Sequence, residues 1–500
     1  MANTAHSIPT GAVTLGDLKA QGYKSVSVKD ELRRNLITRI RAGEPVFPGI
    51  LGFDDSVIPE IQNAILARHD FILLGLRGQA KSRLIRMLPH LLDEYIPVVR
   101  GTELNDDPFA PVSRKAREMV AEMGDSTPID WLHRSRRFGE KLATPDTTIA
   151  DLIGDIDPIK AATRKLTYAD EEVIHFGIIP RTNRGIFAVN ELPDLRPRIQ
   201  VGLLNVLEEQ DIQIRGFAVR IPLDLLLVFT ANPEDYTNRG NIITPLKDRI
   251  DSQIITHYPR SIEIGIDITK QEAWEDRGGP VDVVVPDYFR EIIEQIAFEA
   301  RQSDYVDQKS GVSVRLTRSA LEDLISAAER RTLACGEEST CVRISDLQFV
   351  EPAITGKVEL VYEGEQEGAQ NVARVLTGLA IKTIFEKHFP SPGKRGAERS
   401  RYSGILAWFA QGNKLELRSD LSLRDFEGVL GAVPGLASLA EEFIAIRSRE
   451  EHASAMEFVL EALHQHSLIG KDRLDGRASY TDLMGSMLSS IDPMDDEDLT

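Results

Sequence analysis

Cysteine is nearly absent from this 500-residue sequence, which contains only Cys335 and Cys341. Two cysteines cannot build the disulfide framework of a small secreted domain, so we expect a protein of a reducing compartment. No histidine lies near the pair, which makes it a poor ligand set for zinc. The sequence therefore predicts neither a disulfide scaffold nor a zinc site at these positions.

Long apolar runs are also missing, and none approaches the length of a membrane-spanning helix. The first residues, MANTAHSIPTGAVTLGDLK, lack the charged region and the apolar core of a signal peptide. These two features predict a cytoplasmic protein with no membrane span.

Basic residues are few relative to acidic ones: the sequence has 59 Lys and Arg and 78 Asp and Glu, which gives a formal net charge of −19. Nonspecific binding to DNA or RNA requires a basic surface, so we expect no nucleic-acid partner. The short basic run at 133–137 is typical of a solvated face, although it could contact an anion. The length predicts roughly two to four domains of about 150 residues each.

The most informative segment is residues 71–86, FILLGLRGQAKSRLIR. Its apolar start predicts a buried strand, and a glycine-containing turn and a helical pattern follow. This order matches a P-loop, in which backbone N–H groups and a helix N-terminus bind a polyphosphate. Lys81 would contact the β- and γ-phosphates of ATP, and Ser82 would place its hydroxyl on Mg²⁺. The predicted nucleotide-binding residues of this segment are Gly75, Gly78, Gln79, Ala80, Lys81, Ser82 and Arg83.

One residue departs from the usual pattern G-x-x-x-x-G-K-[ST]. Ala80 stands where the second glycine belongs, and alanine tolerates fewer backbone conformations than glycine. The alternative interpretation of the segment is an ordinary strand, turn and helix with a surface lysine.

Two later apolar runs, 185–189 and 225–230, also predict buried strands that end in polar residues. Ligands of parallel α/β sheets bind where the strands end. After the first run, Glu191 would polarise the attacking water, and Asn190 could bind a metal-bound water but supplies no charge. After the second run, Asn232 could hold the γ-phosphate or the water. The alternative in both places is a strand that ends in a polar turn.

Two arginines complete the predicted catalytic set. Arg249 could reach the γ-phosphate of a neighbouring subunit as an arginine finger, a role worth roughly 10³–10⁵ in rate. Arg315, at the start of a predicted helix, could contact the γ-phosphate from its own chain, and Arg318 is the alternative. Taken alone, Arg249 could equally form a surface salt bridge, and Arg315 could be a solvated side chain.

The order of these motifs along the chain resembles AAA+ ATPases of the MoxR and magnesium-chelatase small-subunit group. The P-loop ending in Ala-Lys-Ser is similar to the MoxR version, and 180–191 (PRTNRGIFAVNE) is similar to the chelatase segment ANRGILYVDE. Residues 232–235 match an N-P-E motif, and 247–249 resemble the L-D-R of the finger. Residues 50–53 resemble the segment that contacts adenine, which adds Leu51 and Gly52 to the nucleotide-binding residues.

The resemblance implies a fold class and a domain order. We expect an α/β fold, with an AAA+ parallel sheet flanked by helices, then an α-helical lid and a helical C-terminal region. The predicted boundaries are a helical lead at 1–45, the AAA+ domain at 46–265 with an insert at about 145–180, the lid at 266–362, a linker at 363–400, helices at 401–487 and an acidic tail at 488–500.

The resemblance also implies an activity. We expect a ring of six identical subunits that uses ATP and Mg²⁺ to remodel, or insert metal into, a separate partner carrying a von Willebrand A-type domain. Two alternatives remain: a motor subunit of a tetrapyrrole metal chelatase, and a nucleotide-dependent scaffold with little hydrolysis, which Asn190 favours. An enhancer-binding transcriptional activator is disfavoured because the sequence contains no GAFTGA loop.

Overall fold

The computed structural model describes residues 11–157, 159, 163, 171–214, 220–232, 241–393, 397–474 and 477–483. The predicted acidic tail, much of the insert and the residues that follow Asn232 in the N-P-E motif lie outside these residues. The chain divides into two compact units, Met1–His257 and Tyr258–Thr500. No helix within the described residues is long and apolar enough to cross a membrane.

The described elements of the first unit alternate between helices and strands. Its helices are α1 (Leu15–Ala20), α2 (Val28–Ala42), α3 (Val57–Leu66), α4 (Lys81–Met87), α5 (Arg114–Met123), α6 (Ile149–Leu152), α7 (Ile178–Arg181), α8 (Pro197–Glu208) and α9 (Thr244–Arg249). Its strands are β1 (Phe71–Leu74), β2 (Tyr95–Val99), β3 (Ile129–His133), β4 (Phe138–Leu142), β5 (Gly154–Ile156), β6 (Ile174–Phe176), β7 (Gly185–Asn190), β8 (Asp211–Gln213), β9 (Arg220–Pro222), β10 (Leu225–Ala231) and β11 (Ser252–Ile255).

A five-stranded sheet of order β11-β1-β10-β7-β4 forms the centre of this unit. All four neighbouring pairs are parallel. The three middle strands are almost entirely buried, which is typical of a parallel sheet covered on both faces. Successive side chains point to opposite faces. Phe71 and Leu73 accordingly belong to one apolar cluster and Ile72 to another.

Helix α2, predicted as part of a separate lead, packs on this sheet. Val28, Leu32 and Leu36 belong to the apolar cluster that covers one face of the sheet. Arg137, which directly precedes β4, is fully buried and binds the Glu31 carboxylate through two hydrogen bonds of 2.7 and 2.6 Å. The buried ion pair is well matched, with both carboxylate oxygens of Glu31 bound by Arg137. This pair and the shared apolar cluster make α2 an integral part of the first unit.

The long stretch between the P-loop and β7 contains two additional pairs of strands. β2 and β3 are antiparallel to each other, with α5 between them in the chain, and they lie outside the parallel sheet. In the predicted insert, β5 and β6 pair antiparallel and α6 and α7 flank them. The edge strand β4 was not among the predicted strands, because its sequence, FGEKL, contains two charged residues and no continuous apolar run.

The second unit is mostly helical. Its helices are α10 (Ile262–Glu272), α11 (Asp287–Ala300), α12 (Arg315–Cys335), α13 (Glu351–Thr355), α14 (Tyr362–Glu367), α15 (Ala369–His388), α16 (Ala397–Ser400), α17 (Ser403–Ala410), α18 (Leu423–Leu430), α19 (Leu436–Phe443) and α20 (Arg449–Gln465). Its strands are β12 (Asp282–Val284), β13 (Ser339–Cys341), β14 (Leu415–Arg418), β15 (Gly470–Leu474) and β16 (Arg477–Thr481).

The structure describes a helix over much of the predicted linker at 363–400. The 20-residue helix α15 occupies it, and its apolar residues Val372, Leu376 and Phe385 are buried. They belong to one apolar cluster that runs from α11 to β16. The predicted lid and C-terminal region therefore share a single core. The helical spacing of the apolar residues accounts for α15, although glycines and prolines flank it.

The C-terminal region also contains a small sheet that was predicted as helix. β14, β16 and β15 form an antiparallel sheet in that order. Tyr480 of β16 is fully buried, and its hydroxyl donates a 2.7 Å hydrogen bond to Glu461 of α20. These strands are only four or five residues long, which is too short to show a clear alternation in sequence.

Candidate nucleotide site

The P-loop and the two polar strand ends meet at one edge of the parallel sheet. Leu74, the last residue of β1, pairs with Ala231 of β10, and Phe229 of β10 pairs with Val189 of β7. Because the three strands are parallel, the residues after each of them emerge side by side. The register therefore brings the P-loop close to Asn232 and Glu191.

The P-loop backbone adopts the left-handed region twice. Gly78 has φ 77°, and Ala80, the residue before α4, has φ 54° and ψ 11°. Alanine is seldom found there because its Cβ crowds the backbone, which explains why most P-loops have glycine at this position. Ala80 thus holds a left-handed conformation that glycine would adopt with less strain.

Gly75 is required at the start of the loop because the space beside its Cα is filled. A Cβ at this position would lie 1.9 Å from Thr256 Oγ1 and 2.2 Å from Gln79 Oε1. The Thr256 hydroxyl donates to Gln79 Oε1 at 2.7 Å, which links the residue after β11 to the loop. Gln79 is buried, so its side-chain amide bonds Thr256 inside the protein and supports the loop there.

Lys81 is folded onto its own loop. Its ammonium group donates hydrogen bonds to the carbonyl oxygens of Gly75 and Leu76 and, at 2.7 Å, to Asn232 Oδ1. Only 7% of its surface is exposed. A phosphate would offer stronger, charged acceptors in place of these neutral ones.

The polar residues after β7 and β10 are joined in one chain of hydrogen bonds. Asn232 accepts from Lys81 through Oδ1 and donates through Nδ2 to Glu191 Oε2 at 2.9 Å. Glu191 has φ 56° and its N–H donates to Thr230 Oγ1 at 3.0 Å. The left-handed turn aims the carboxylate at Asn232, so the predicted base, sensor and phosphate-binding lysine are connected through a single amide.

Asn190 is buried at the end of β7 and is held on both sides. Thr230 Oγ1 donates to its Oδ1 at 3.3 Å, and its Nδ2 donates to Glu140 Oε1 at 2.5 Å. Glu140, from the edge strand β4, also accepts two hydrogen bonds from Arg86 Nε, at 2.9 and 3.2 Å, and one from Nη2, at 3.0 Å. This ion pair raises the pKa of Arg86.

Glu140, Thr230 and Thr256 were not predicted as site residues. None of them lies in a recognisable motif: Glu140 belongs to an edge strand, Thr230 precedes the predicted sensor, and Thr256 follows β11. Their roles depend on the strand order, which places β4 and β11 at opposite edges of the sheet. Only Thr230 carried a signal in the sequence, because it is the polar residue at the end of the predicted run 225–230.

The segment predicted to contact adenine lies directly before α3. Ile50 and Phe53 are buried, whereas Leu51 is 38% exposed and Gly52 has φ 77°. The Phe53 ring packs edge-on against His257, with ring centroids 5.0 Å apart. The segment is thus a fixed turn in the first unit that presents an apolar side chain to solvent.

The three arginines predicted to act at the site lie in different parts of the chain. Arg83 is exposed on the first turn of α4. Arg249, at the end of α9, binds Glu208 of α8 at 2.7 Å within the same chain. Arg315 is the exposed first residue of α12, in the second unit.

The donor set suits Mg²⁺ beside a phosphate. Ser82 is half-buried on the first turn of α4 and carries a hydroxyl, and Asn190 and Glu140 carry amide and carboxylate oxygens. Mg²⁺ prefers oxygen ligands and is usually held by one or two carboxylates, water and substrate phosphates. Among the described residues, no group of three or more His, Cys, Asp or Glu could hold a metal ion.

Several solved structures are similar to the chain at low sequence identity. No protein-family model and no curated protein matches the chain. A putative ATPase from Cytophaga hutchinsonii is similar at 15% identity, over 72% of this chain and 96% of that one, with a TM-score of 0.29. A model of the BchI and BchD subunits of magnesium chelatase is similar at 19% identity, over 65% of this chain and 99% of that one, with a TM-score of 0.33.

A third match is NtrX from Brucella abortus in complex with ATP. It is 15% identical over 58% of this chain, with a TM-score of 0.33, and this chain covers 55% of that structure. The chain thus spans about half the length of NtrX.

Proposed function

We propose that this chain is a ring-forming ATPase similar to MoxR and magnesium-chelatase motor subunits. It would couple ATP hydrolysis in the cytoplasm to the remodelling of a partner protein, or to metal insertion into it. The expected partner is a separate chain with a von Willebrand A-type domain, and the expected ring has six subunits.

The observation that supports hydrolysis is the hydrogen-bonded chain from Lys81 through Asn232 to Glu191. A structural strand end would not require a lysine, an amide and a carboxylate from three separate segments to converge. In a P-loop ATPase, these three groups bind the phosphates, sense the γ-phosphate and orient the attacking water. The side chains are therefore arranged for phosphoryl transfer to water.

The proposed roles follow from the positions. Lys81 leaves its loop carbonyls to bind phosphate, which also releases Asn232. Asn232 and Glu191 then orient a water molecule for attack on the γ-phosphate, and ADP and phosphate are the products. Ser82 and Asn190 would hold Mg²⁺, which supplies charge neutralisation at the phosphates.

The first experiment compares steady-state ATPase activity of the wild type with Glu191→Gln. Glutamine keeps the hydrogen bond from Asn232 but cannot accept a proton, so we expect turnover to fall by about 10²–10⁴ while ATP binding is retained. Equal activity of the two proteins would contradict the assignment of Glu191.

The second experiment tests Arg249 with a matched control. Arg249→Ala and Glu208→Ala both break the same ion pair, but only the first removes the arginine. If Arg249 acts as a finger, the first variant loses turnover and the second retains it. Equal losses would show that the ion pair matters only for folding.

Mixing two inactive variants then shows whether the finger comes from a neighbour. Arg249→Ala subunits keep an intact water-binding site, and Glu191→Gln subunits keep the arginine. In a randomly mixed ring with head-to-tail contacts, about one interface in four combines both intact halves, so activity should reappear. No recovery on mixing would contradict hydrolysis in trans.

A nucleotide-dependent scaffold is the second candidate, and Asn190 favours it because the usual acidic residue is replaced by a neutral one. Tight ATP binding by the wild type without turnover would support this candidate. Stimulation of turnover by a porphyrin and a large partner subunit would instead support a chelatase motor.

A further inference from the structure

We infer that Glu140 supplies the acidic group that Asn190 lacks, so that the Mg²⁺ of the bound nucleotide faces a carboxylate from the edge strand β4. The inference rests on the proposed nucleotide site and concerns how that site holds its metal. It assigns to Glu140 a function that no sequence motif indicates.

The first argument is the position of the carboxylate. Glu140 pairs with Ala188 in the register of β4 and β7, two residues before Asn190 along the strand. Its side chain nevertheless reaches the end of β7, where its Oε1 lies 2.5 Å from Asn190 Nδ2. The negative charge therefore lies beside the amide at the strand end, although it is carried by the neighbouring strand.

The second argument is the orientation of α4. Ser82 and Arg86 are four residues apart on this helix, so their side chains lie on the same face. Arg86 forms its ion pair with Glu140. The Ser82 face of α4 is therefore turned towards β4, which brings the predicted metal-binding hydroxyl and the Glu140 carboxylate to the same side.

The third argument is charge compatibility. An aspartate at position 190 would place a second carboxylate against Glu140, and two carboxylates at this distance disfavour each other's ionisation. Asparagine avoids this repulsion and donates a hydrogen bond to Glu140 instead. Asn190 is therefore explained as the partner of a carboxylate that already occupies the site, rather than as the loss of one.

Arg86 balances the charge of Glu140 without blocking it. The Arg86 side chain is 63% exposed and that of Glu140 is 21% exposed. An ion pair with so exposed a partner is weak, so a divalent cation held by the phosphates can replace the arginine. Arg86 would then turn to solvent, where its charge is well hydrated.

The test measures how much Mg²⁺ tightens binding of a fluorescent ADP analogue, from affinities in MgCl₂ and in EDTA. For Glu140→Gln we expect this tightening to fall by about tenfold or more, while the affinity in EDTA is unchanged. The exchange variant Asn190→Asp/Glu140→Gln restores one carboxylate beside one amide. The increase in affinity caused by Mg²⁺ should therefore return.

Arg86→Gln is the matched control, because it breaks the same ion pair but leaves the carboxylate in place. It should retain the Mg²⁺ effect. The inference is overturned if Glu140→Gln keeps the full effect, if Arg86→Gln loses as much, or if the exchange variant fails to recover it. Circular dichroism shows whether each variant folds.

Failure of the proposed function has a different signature. A folded wild-type protein that binds the ADP analogue neither with Mg²⁺ nor in EDTA would remove the nucleotide site itself. A wild type that binds equally under both conditions would keep the nucleotide site, and it would overturn the inference about Glu140 together with the Mg²⁺-holding roles of Ser82 and Asn190.

Discussion

Gly75→Ala should destabilise the first unit and disrupt the nucleotide site together. The added Cβ would lie 1.9 Å from Thr256 Oγ1 and 2.2 Å from Gln79 Oε1, well inside ordinary contact distance. Overpacking of this kind costs about 1–3 kcal/mol. Separation of the Thr256–Gln79 hydrogen bond adds about 1 kcal/mol. We therefore expect a loss of about 2–4 kcal/mol.

The assay is scanning calorimetry together with binding of the ADP analogue. For a unit of this size, each kcal/mol lowers the melting temperature by about 2–4 °C, so a loss of about 4–16 °C is expected in the transition of the first unit. Nucleotide affinity should fall in parallel, because the displaced Thr256–Gln79 hydrogen bond supports the loop that carries Lys81.

The matched control is Gly428→Ala in the second unit. A Cβ at Gly428 meets no atom within 4 Å, and the residue lies inside α18. Alanine is the better helix former by about 1 kcal/mol, so this variant should be as stable as the wild type or more stable. It also leaves the P-loop untouched, so nucleotide binding should be unchanged.

The double variant Gly75→Ala/Thr256→Ala tests the cause. Removal of the Thr256 hydroxyl clears the closest clash, so the double variant should be more stable than the sum of the two single losses predicts. Strict additivity, or a Gly75→Ala protein with wild-type stability, would refute the argument that the space beside Gly75 is filled.

Three further predictions concern stability and reactivity. Arg137→Met leaves the buried Glu31 carboxylate unpaired, so urea unfolding should show a loss of about 3–5 kcal/mol, and the double variant with Glu31→Met should recover part of it. Burial raises the pKa of Asp224 to about 6 from 3.8, so the folded protein binds the proton more tightly. Wild-type stability should therefore fall relative to Asp224→Asn as the pH rises from about 4 to about 6, by up to about 3 kcal/mol, and a difference independent of pH would contradict this. Burial raises the pKa of the Cys341 thiol, so a thiol reagent should label Cys335 in the folded protein and Cys341 only after unfolding.

The prediction of the parallel strands shows where sequence patterns are strong. Phe71–Leu74 was predicted with the bounds that the structure has, and the strands beginning at Gly185 and Leu225 each extend one residue beyond their predicted ends. Middle strands of a parallel sheet are buried on both faces, so their sequences are continuous apolar runs with clear ends. The edge strand β4 has no such run and was missed.

The second unit shows where the patterns are weak. The glycine- and proline-containing ends of 363–400 suggested a linker, yet α15 between them contributes to the core. The apolar residues of α15 follow helical spacing, which predicts a helix, whereas the glycines and prolines at its two ends predict breaks in the structure. The short strands of the small antiparallel sheet gave no usable signal.

The sequence by itself determined the P-loop, the strands that surround it and the polar residues at their ends. It could do so because phosphate binding needs a particular local order of strand, turn, lysine and helix, and because buried strands must be apolar. Only the tertiary structure decided that Glu140 meets Asn190, that Thr256 fills the space beside Gly75, and that α15 belongs to a core. Each of these contacts joins residues far apart in the chain, and their distance depends on strand order and register, which no local pattern encodes.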